Sequence, residues 1–205
     1  MMEKTDETIP SREELAVYIE EVAVSVTNNY EEAPTVLMVD DAVIGTLGNF
    51  SASIGKAKSK TTFNVSAIAA SALSDRTVLR YRSMFPENKR KILYIDTEQG
   101  CHHCQQVLKR ILRLAGLPDD KVPENLIILS LRKSAPRVRL LIVEGAIDIT
   151  PDLGLVIIDG IRDFLYDINS SSESTEVISK FMQWTDDKQI HIHTVLHQNL
   201  SLIHI

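Results

Sequence analysis

Cysteine is nearly absent from this sequence. Its 205 residues hold two, Cys101 and Cys104, so the chain is not a disulfide-stapled scaffold. Long apolar runs are missing too. None approaches the roughly 20 residues that cross a bilayer, and no membrane partner is expected. Positive charge is short: 22 Lys and Arg stand against 28 Asp and Glu, a net charge of −6. That excludes coating nucleic acid by bulk charge and leaves room for a local basic stripe. The N-terminus, "MMEKTDETIPSREEL", is acidic and polar, unlike a secretory signal. With so few cysteines, this points to a reducing cytosol and a cytoplasmic protein. Repeats are absent, and the one short biased stretch is the polar "NSSSES" at 169–174. What remains is ordinary: 44% hydrophobic and 24% charged residues, in a length that suits one domain with a core and a small appendage.

Residues 1–11 read as a linker-like segment. Ser11 is an N-cap and Glu14 completes a capping box. Leu15, Ile19, Val22 and Val26 recur at helical spacing, which predicts a helix over about 12–27. "TVLMVDDAVIGTLGNFSASI" reads as short strands with a turn at Asp40–Asp41. From residue 49 the pattern alternates. Strands are expected at "NFSASI", "KILYID" (91–96), "NLIILSL" (125–131), "GLVIIDG" (154–160) and "QIHIHTVL" (189–196). Helices are expected at Lys60 to Leu73, 103–116, 136–147 and 173–187. The alternation predicts an α/β fold, a mainly parallel sheet flanked by helices, with strands such as "LVII" buried on both faces. The division is 1–33, a polar segment and helix; 34–199, the core; and 200–205, a tail foreign to the natural protein. The chain stops after a strand with no closing helix, so a C-terminally truncated core is expected.

"GKAKSKTT" at 55–62 has the outline of a phosphate-binding loop feeding a helix. Such a loop needs inward backbone N–H groups, a Lys that reaches the phosphates and a Ser or Thr for Mg²⁺, in the pattern G-x-x-x-x-G-K-[ST]. Two registers fit in part. In one, Gly55 opens the loop, Lys60 replaces the second glycine, Thr61 the lysine, and Thr62 is the Mg²⁺ ligand. In the other, Lys60 and Thr61 supply the K-[ST] pair, and Ile54 and Ser59 take the glycine positions. Three strands then end in polar residues: Asp159 after "GLVII", Asp96 and Glu98 in "ILYIDTEQG", and His197, Gln198 and Asn199 in "HTVLHQN". Open α/β sheets bind ligands at such strand ends.

The order "GKAKSKTT … YIDTEQ … LVIIDG … VLHQN" resembles the RecA-like ATPases over residues 35–199. Within them it is most similar to RepA-type helicases and AAA-family ATPases of bacterial plasmids and mobile elements, notably of Bacteroides-type bacteria. The resemblance implies a RecA-like P-loop NTPase core that uses ATP and Mg²⁺. By it, Glu98 is the catalytic base, Asp159 the Walker B aspartate, and Gln198, with His197, the sensor. Gly55, Lys56, Ala57, Lys58, Ser59, Lys60, Thr61 and Thr62 are the nucleotide loop, with Thr62 and Asp159 on the metal. Relatives carry G-K-A-K-S-K/R-K-T, which implies the first register, with Thr61 where they have Lys and Lys60 or Lys58 reaching the phosphates instead. The resemblance also implies DNA as a partner, assembly into a hexamer or filament, and work in replication or mobilisation of a mobile element. The alternatives are a non-hydrolysing nucleotide-binding assembly module and a fragment that keeps the fold without function.

"CHHC" at 101–104 reads as a helix start beside this site ahead of a zinc site, because four consecutive residues cannot surround one ion. His191 and His193 share a strand face and read as sheet packing. Lys89, Arg90, Lys91, Arg132, Lys133, Arg137 and Arg139 read as solvated loops ahead of nucleic-acid contacts. Phe164, Tyr166 and Trp184 read as core, the last with Val177, Phe181 and Met182.

Overall fold

A computed structural model describes residues 10–56 and 61–198, with backbone only for Lys56, His197 and Gln198. The expected linker at 1–11 lies mostly outside these residues, as do Asn199 and the tail 200–205. Two compact units divide at Glu32/Ala33.

The first unit carries helix α1, Arg12–Val22. The capping box is present: Ser11 Oγ accepts the Glu14 N–H at 3.2 Å, and Glu14 Oε2 accepts the Ser11 N–H at 2.7 Å. The helix stops five residues short of the expected 27. Ala23 is extended, where alternate valines (Val22, Val24, Val26) begin a β-branched stretch that disfavours helix.

In the second unit, β1 (Thr35–Val39), β2 (Ala42–Thr46) and β4 (Tyr81–Ser83) form an antiparallel sheet in the order β2-β1-β4. Asp40 takes a left-handed φ of 49° in the β1–β2 turn, as expected there. Its carboxylate accepts Arg80 Nε at 2.8 Å. No pattern in the sequence marks β4 as a strand.

The main sheet comprises β3 (Asn49–Lys56), β5 (Lys91–Asp96), β6 (Leu126–Ser130), β7 (Leu153–Asp159) and β8 (His191–Gln198), all parallel, in the order β3-β8-β7-β5-β6. The helices between them are α2 (Thr61–Ser74), α3 (Cys101–Ala115), α4 (Pro136–Ile149) and α5 (Ser171–Lys188). Pro136 fits the first turn of α4, where its missing N–H costs nothing. Gly116 closes α3 in the left-handed conformation. Part of the expected polar loop 169–174 is helix: Ser170 caps α5 by accepting the Glu173 N–H.

Parallel crossovers are right-handed. The chain moves one way across the sheet from β3 through β5 to β6, then back through β7 to β8. α2 and α3 therefore cover one face, and α4 and α5 the other. The two cores agree. Ile92, Tyr94, Leu155, Ile157 and Val195 pack with α2, α3 and the small sheet. Leu93, Ile95, Val156, Ile158 and Ile192 pack with α4 and α5. Successive residues of β5 and β7 feed opposite cores, which is why these strands read as unbroken apolar runs. Trp184, Phe181 and Val177 are core as expected. Met182 is not: it is 59% exposed, because α5 turns that position away from the sheet.

Gly154 in β7 allows a close approach. A Cβ there would lie 1.8 Å from the Lys89 carbonyl oxygen and 2.8 Å from Phe85 Cδ1. Backbone cannot yield as a side chain can. Gly154→Ala is expected to cost about 3 kcal/mol and to lower the melting temperature by roughly 10 °C. An unchanged melting temperature would mean that the turn Glu87–Lys89 is not held against β7.

Candidate nucleotide site

Strand order puts the acidic strand ends together. Asp96 and Asp159 are partners in register, and Val195 and Ser53 continue the row to β3. By the two-residue alternation, both carboxylates share the α2 face with Tyr94 and Ile157. This is the switch point of the sheet: the chain leaves β5 toward α3 on one face and β7 toward α5 on the other, opening a crevice at their carboxyl ends.

Both aspartates are buried, at 1% and 3% exposure. Tyr94 Oη donates to Asp159 Oδ2 at 3.2 Å. Burial pushes the Tyr94 phenol well above its ordinary range, and the carboxylates of Asp159 and Asp96 add to it, so the tyrosine keeps its proton to donate. Asp96 anchors the next loop. Its Oδ1 accepts the N–H of Glu98 at 3.0 Å and of Gln99 at 2.7 Å, and its Oδ2 accepts Gln99 Nε2 at 2.8 Å. Burial pushes the Asp96 carboxyl up, opposed by these hydrogen bonds.

Glu98 is exposed, and its stem lies against Gly160. A Cβ on Gly160 would sit 3.1 Å from Glu98 Cγ and 2.2 Å from Thr97 Oγ1. Gly160 has φ +109°, a conformation that favours glycine. Thr97 Oγ1 is 2.8 Å from both the Gly160 carbonyl and Asp163 Oδ2, tying the loops after β5 and β7. Glu98 and Asp159 are thus neighbours across one loop pair.

On the other side, β3 ends at Lys56 and α2 begins at Thr61. Gly55 pairs with His197 and Lys56 with Gln198. Thr61 is buried at 7% exposure, and Thr62 is half-buried, its carbonyl accepting Ser66 Oγ at 2.6 Å. Ala57, Lys58, Ser59 and Lys60 lie outside the described residues. The structure therefore gathers Gly55, Lys56, Thr61, Thr62, Glu98, Asp159 and Gln198 at the carboxyl edge of four adjacent strands.

A family model described as an AAA domain matches residues 27–200. The chain belongs to this AAA family of P-loop ATPases. No curated protein sequence matches it. The α/β architecture with five parallel strands is that of a RecA-like P-loop NTPase core. No described helix is long and apolar enough to cross a membrane.

Sequence reasoning noted Asp96 only as a strand end. In this AAA domain it fixes the Glu98 loop, and the signal was "DTEQ" itself, an aspartate followed two and three residues on by N–H groups that it can accept. Three of the seven basic residues hold the fold together. Lys89 Nζ donates to the Lys188 carbonyl at 2.6 Å, Arg90 pairs with Asp75, and Arg139 bonds the carbonyls of Leu131, Arg132 and Asp163. Phe164 is buried, whereas Tyr166, expected in the core, is 68% exposed. It follows a 3₁₀ turn, Ile161–Phe164, that carries the chain out of the sheet.

His191 and His193 do pack on one face, in a hydrogen-bonded line. His191 Nδ1 meets the Thr46 carbonyl at 2.9 Å, and its Nε2 meets Ser51 Oγ at 2.8 Å. Ser51 Oγ also meets His193 Nδ1 at 2.7 Å, and His193 Nε2 meets Ser53 Oγ at 2.9 Å. The line ends in the row of Asp159 and Asp96, two residues before Gly55. Burial, with His191 nearby, lowers the His193 pKa from 6.5 to about 4. Its neutral form is the folded one, so its contribution to stability is full above 6.5 and lost as pH falls through about 4. The loss approaches about 3 kcal/mol. Urea unfolding at about pH 7 and about pH 4 is expected to show this loss in the wild type and a smaller one in His193→Asn.

Proposed function

We propose that this AAA domain binds ATP with Mg²⁺ at the carboxyl ends of β3, β8, β7 and β5, and hydrolyses it to drive DNA replication or mobilisation of a mobile element. What carries the reading is the meeting of buried Asp159 and the Asp96-anchored Glu98 loop at the edge where β3 leads into α2. Backbone N–H groups of Gly55 to Thr61 cradle the phosphates, and the N-terminus of α2 adds its positive end. Lys60 or Lys58 supplies a cation, displaced from the place that the first register gives the lysine. Thr62 and Asp159 offer the oxygen donors that Mg²⁺ takes. Bound there, the ion neutralises charge on the phosphate oxygens. Glu98 takes the proton of the attacking water, and Gln198, with His197, senses the γ-phosphate. The DNA role draws on the likeness to RepA-type helicases, with exposed Tyr166 after β7 as a stacking surface. Assembly into a hexamer or filament would bring a neighbour's arginine to the site.

A second reading, a non-hydrolysing module in which nucleotide stabilises an assembly surface, is favoured by Thr61 standing where the first register calls for Lys. Calorimetric titration with ATP, with and without Mg²⁺, tests the common ground. Mg²⁺-dependent tightening is expected in the wild type, with affinity reduced at least roughly tenfold in Asp159→Ala and Asp159→Asn. A folded protein that gives neither heat nor a thermal shift with ATP or ADP would sink both readings.

A further inference from the structure

The two cysteines stand at the start of α3, inside the unit β5-α3-β6. Cys101 is the first residue of the helix and is exposed; Cys104 is buried at 4% exposure. Cys104 Sγ lies 3.5 Å from the Gln99 carbonyl oxygen, which also accepts Ser130 Oγ at 2.8 Å. Gln99 in turn holds Asp96 through its N–H and its side chain. A C-x-x-C pair in a βαβ unit, one sulfur open to solvent and the other behind it, is the arrangement of a thiol–disulfide centre. A metal is a poorer occupant: among the described residues no group of three or more His, Cys, Asp or Glu could hold one.

We propose that Cys101 and Cys104 form a reversible dithiol–disulfide couple, a modification site next to the Glu98 loop, oxidised by low-molecular-weight disulfides. Side chains three apart on a helix have Cβ atoms about 5–6 Å apart, and a disulfide needs about 3.8 Å. The first helical turn must tighten. Gly100, the N-cap, has open space where a Cβ would stand, so the turn has room to move. The exchange balances in two steps. Cys101 sulfur loses its proton to water and attacks the small disulfide, forming a mixed disulfide and releasing one small thiol. Cys104 sulfur, losing its own proton, then displaces the second small thiol from Cys101. Two electrons pass to the oxidant. Burial pushes the Cys104 thiol up, so the exposed Cys101 is the sulfur that attacks first and Cys104 the one that resolves. Closure removes the thiol donor from the Gln99 carbonyl, one residue from Glu98.

The test uses glutathione disulfide on the full chain, which has no other cysteine. Intact mass and alkylation of all free thiols after unfolding in denaturant follow the reaction, and circular dichroism before unfolding confirms the fold. The wild type is expected to pass from two alkylable thiols to none, with a mass lower by two hydrogens and no adduct. Cys104→Ser is expected to stop at a stable glutathione adduct on Cys101, and Cys101→Ser to remain unmodified. A wild type that keeps the adduct as Cys104→Ser does, forms intermolecular dimers, or retains both thiols overturns the proposal. These outcomes do not depend on ATP hydrolysis, so the couple and the proposed function fail separately.

Discussion

Glu98→Gln is expected to lower ATP turnover by roughly 10²- to 10⁴-fold and to leave nucleotide affinity nearly unchanged. Glutamine keeps the shape of the side chain, so its stem still rests on Gly160, but its amide cannot take a proton from water. The fold should not suffer, because Glu98 is exposed. The position of its backbone is fixed by Asp96, which accepts the Glu98 and Gln99 N–H groups and does not depend on the side chain replaced. Phosphate release at saturating ATP is the measurement, with titration calorimetry as the control. Turnover that survives the substitution would place the base elsewhere.

Thr61→Lys is expected to raise turnover by roughly 10²- to 10³-fold, the usual worth of one preorganised donor to transition-state charge. Thr61 is the first residue of α2 and is buried. A lysine there can bury its methylene stem and extend its ammonium past the helix end, into the space where phosphates would lie. Thr61→Met controls for added volume and should not raise turnover. A wild type as fast as Thr61→Lys would show that Lys60 or Lys58 already serves in full. A wild type without turnover, rescued by the lysine, would make the native chain the non-hydrolysing module.

Much of this site was legible before the fold. "YIDTEQ" and "LVIIDG" each show an apolar run that stops at an acid, and parallel strands buried on both faces have no other place for one. The helix start at Ser11 follows from a side chain that accepts an N–H group three residues on; the one at Ser170 lay hidden in a run of serines that read as a loop. Other features were hidden for physical reasons. β4 is three residues long and exists only because β1 offers it an edge. Tyr166 looked like core because an aromatic residue in an apolar stretch usually is, but a short turn lifts it out.

By itself, the sequence determined most of the strands and helices, and which strands end in chemistry-bearing residues. These follow from local periodicity and from neighbours three or four positions apart. Only the tertiary structure decided that β5 lies beside β7, so that Asp96 faces Asp159 and Glu98 rests on Gly160. It alone joined Thr46, His191, Ser51, His193 and Ser53 in one line across β2, β8 and β3. Strand order and register come from pairing between distant segments. The two-residue alternation says which face a side chain takes, but not which strand becomes its neighbour.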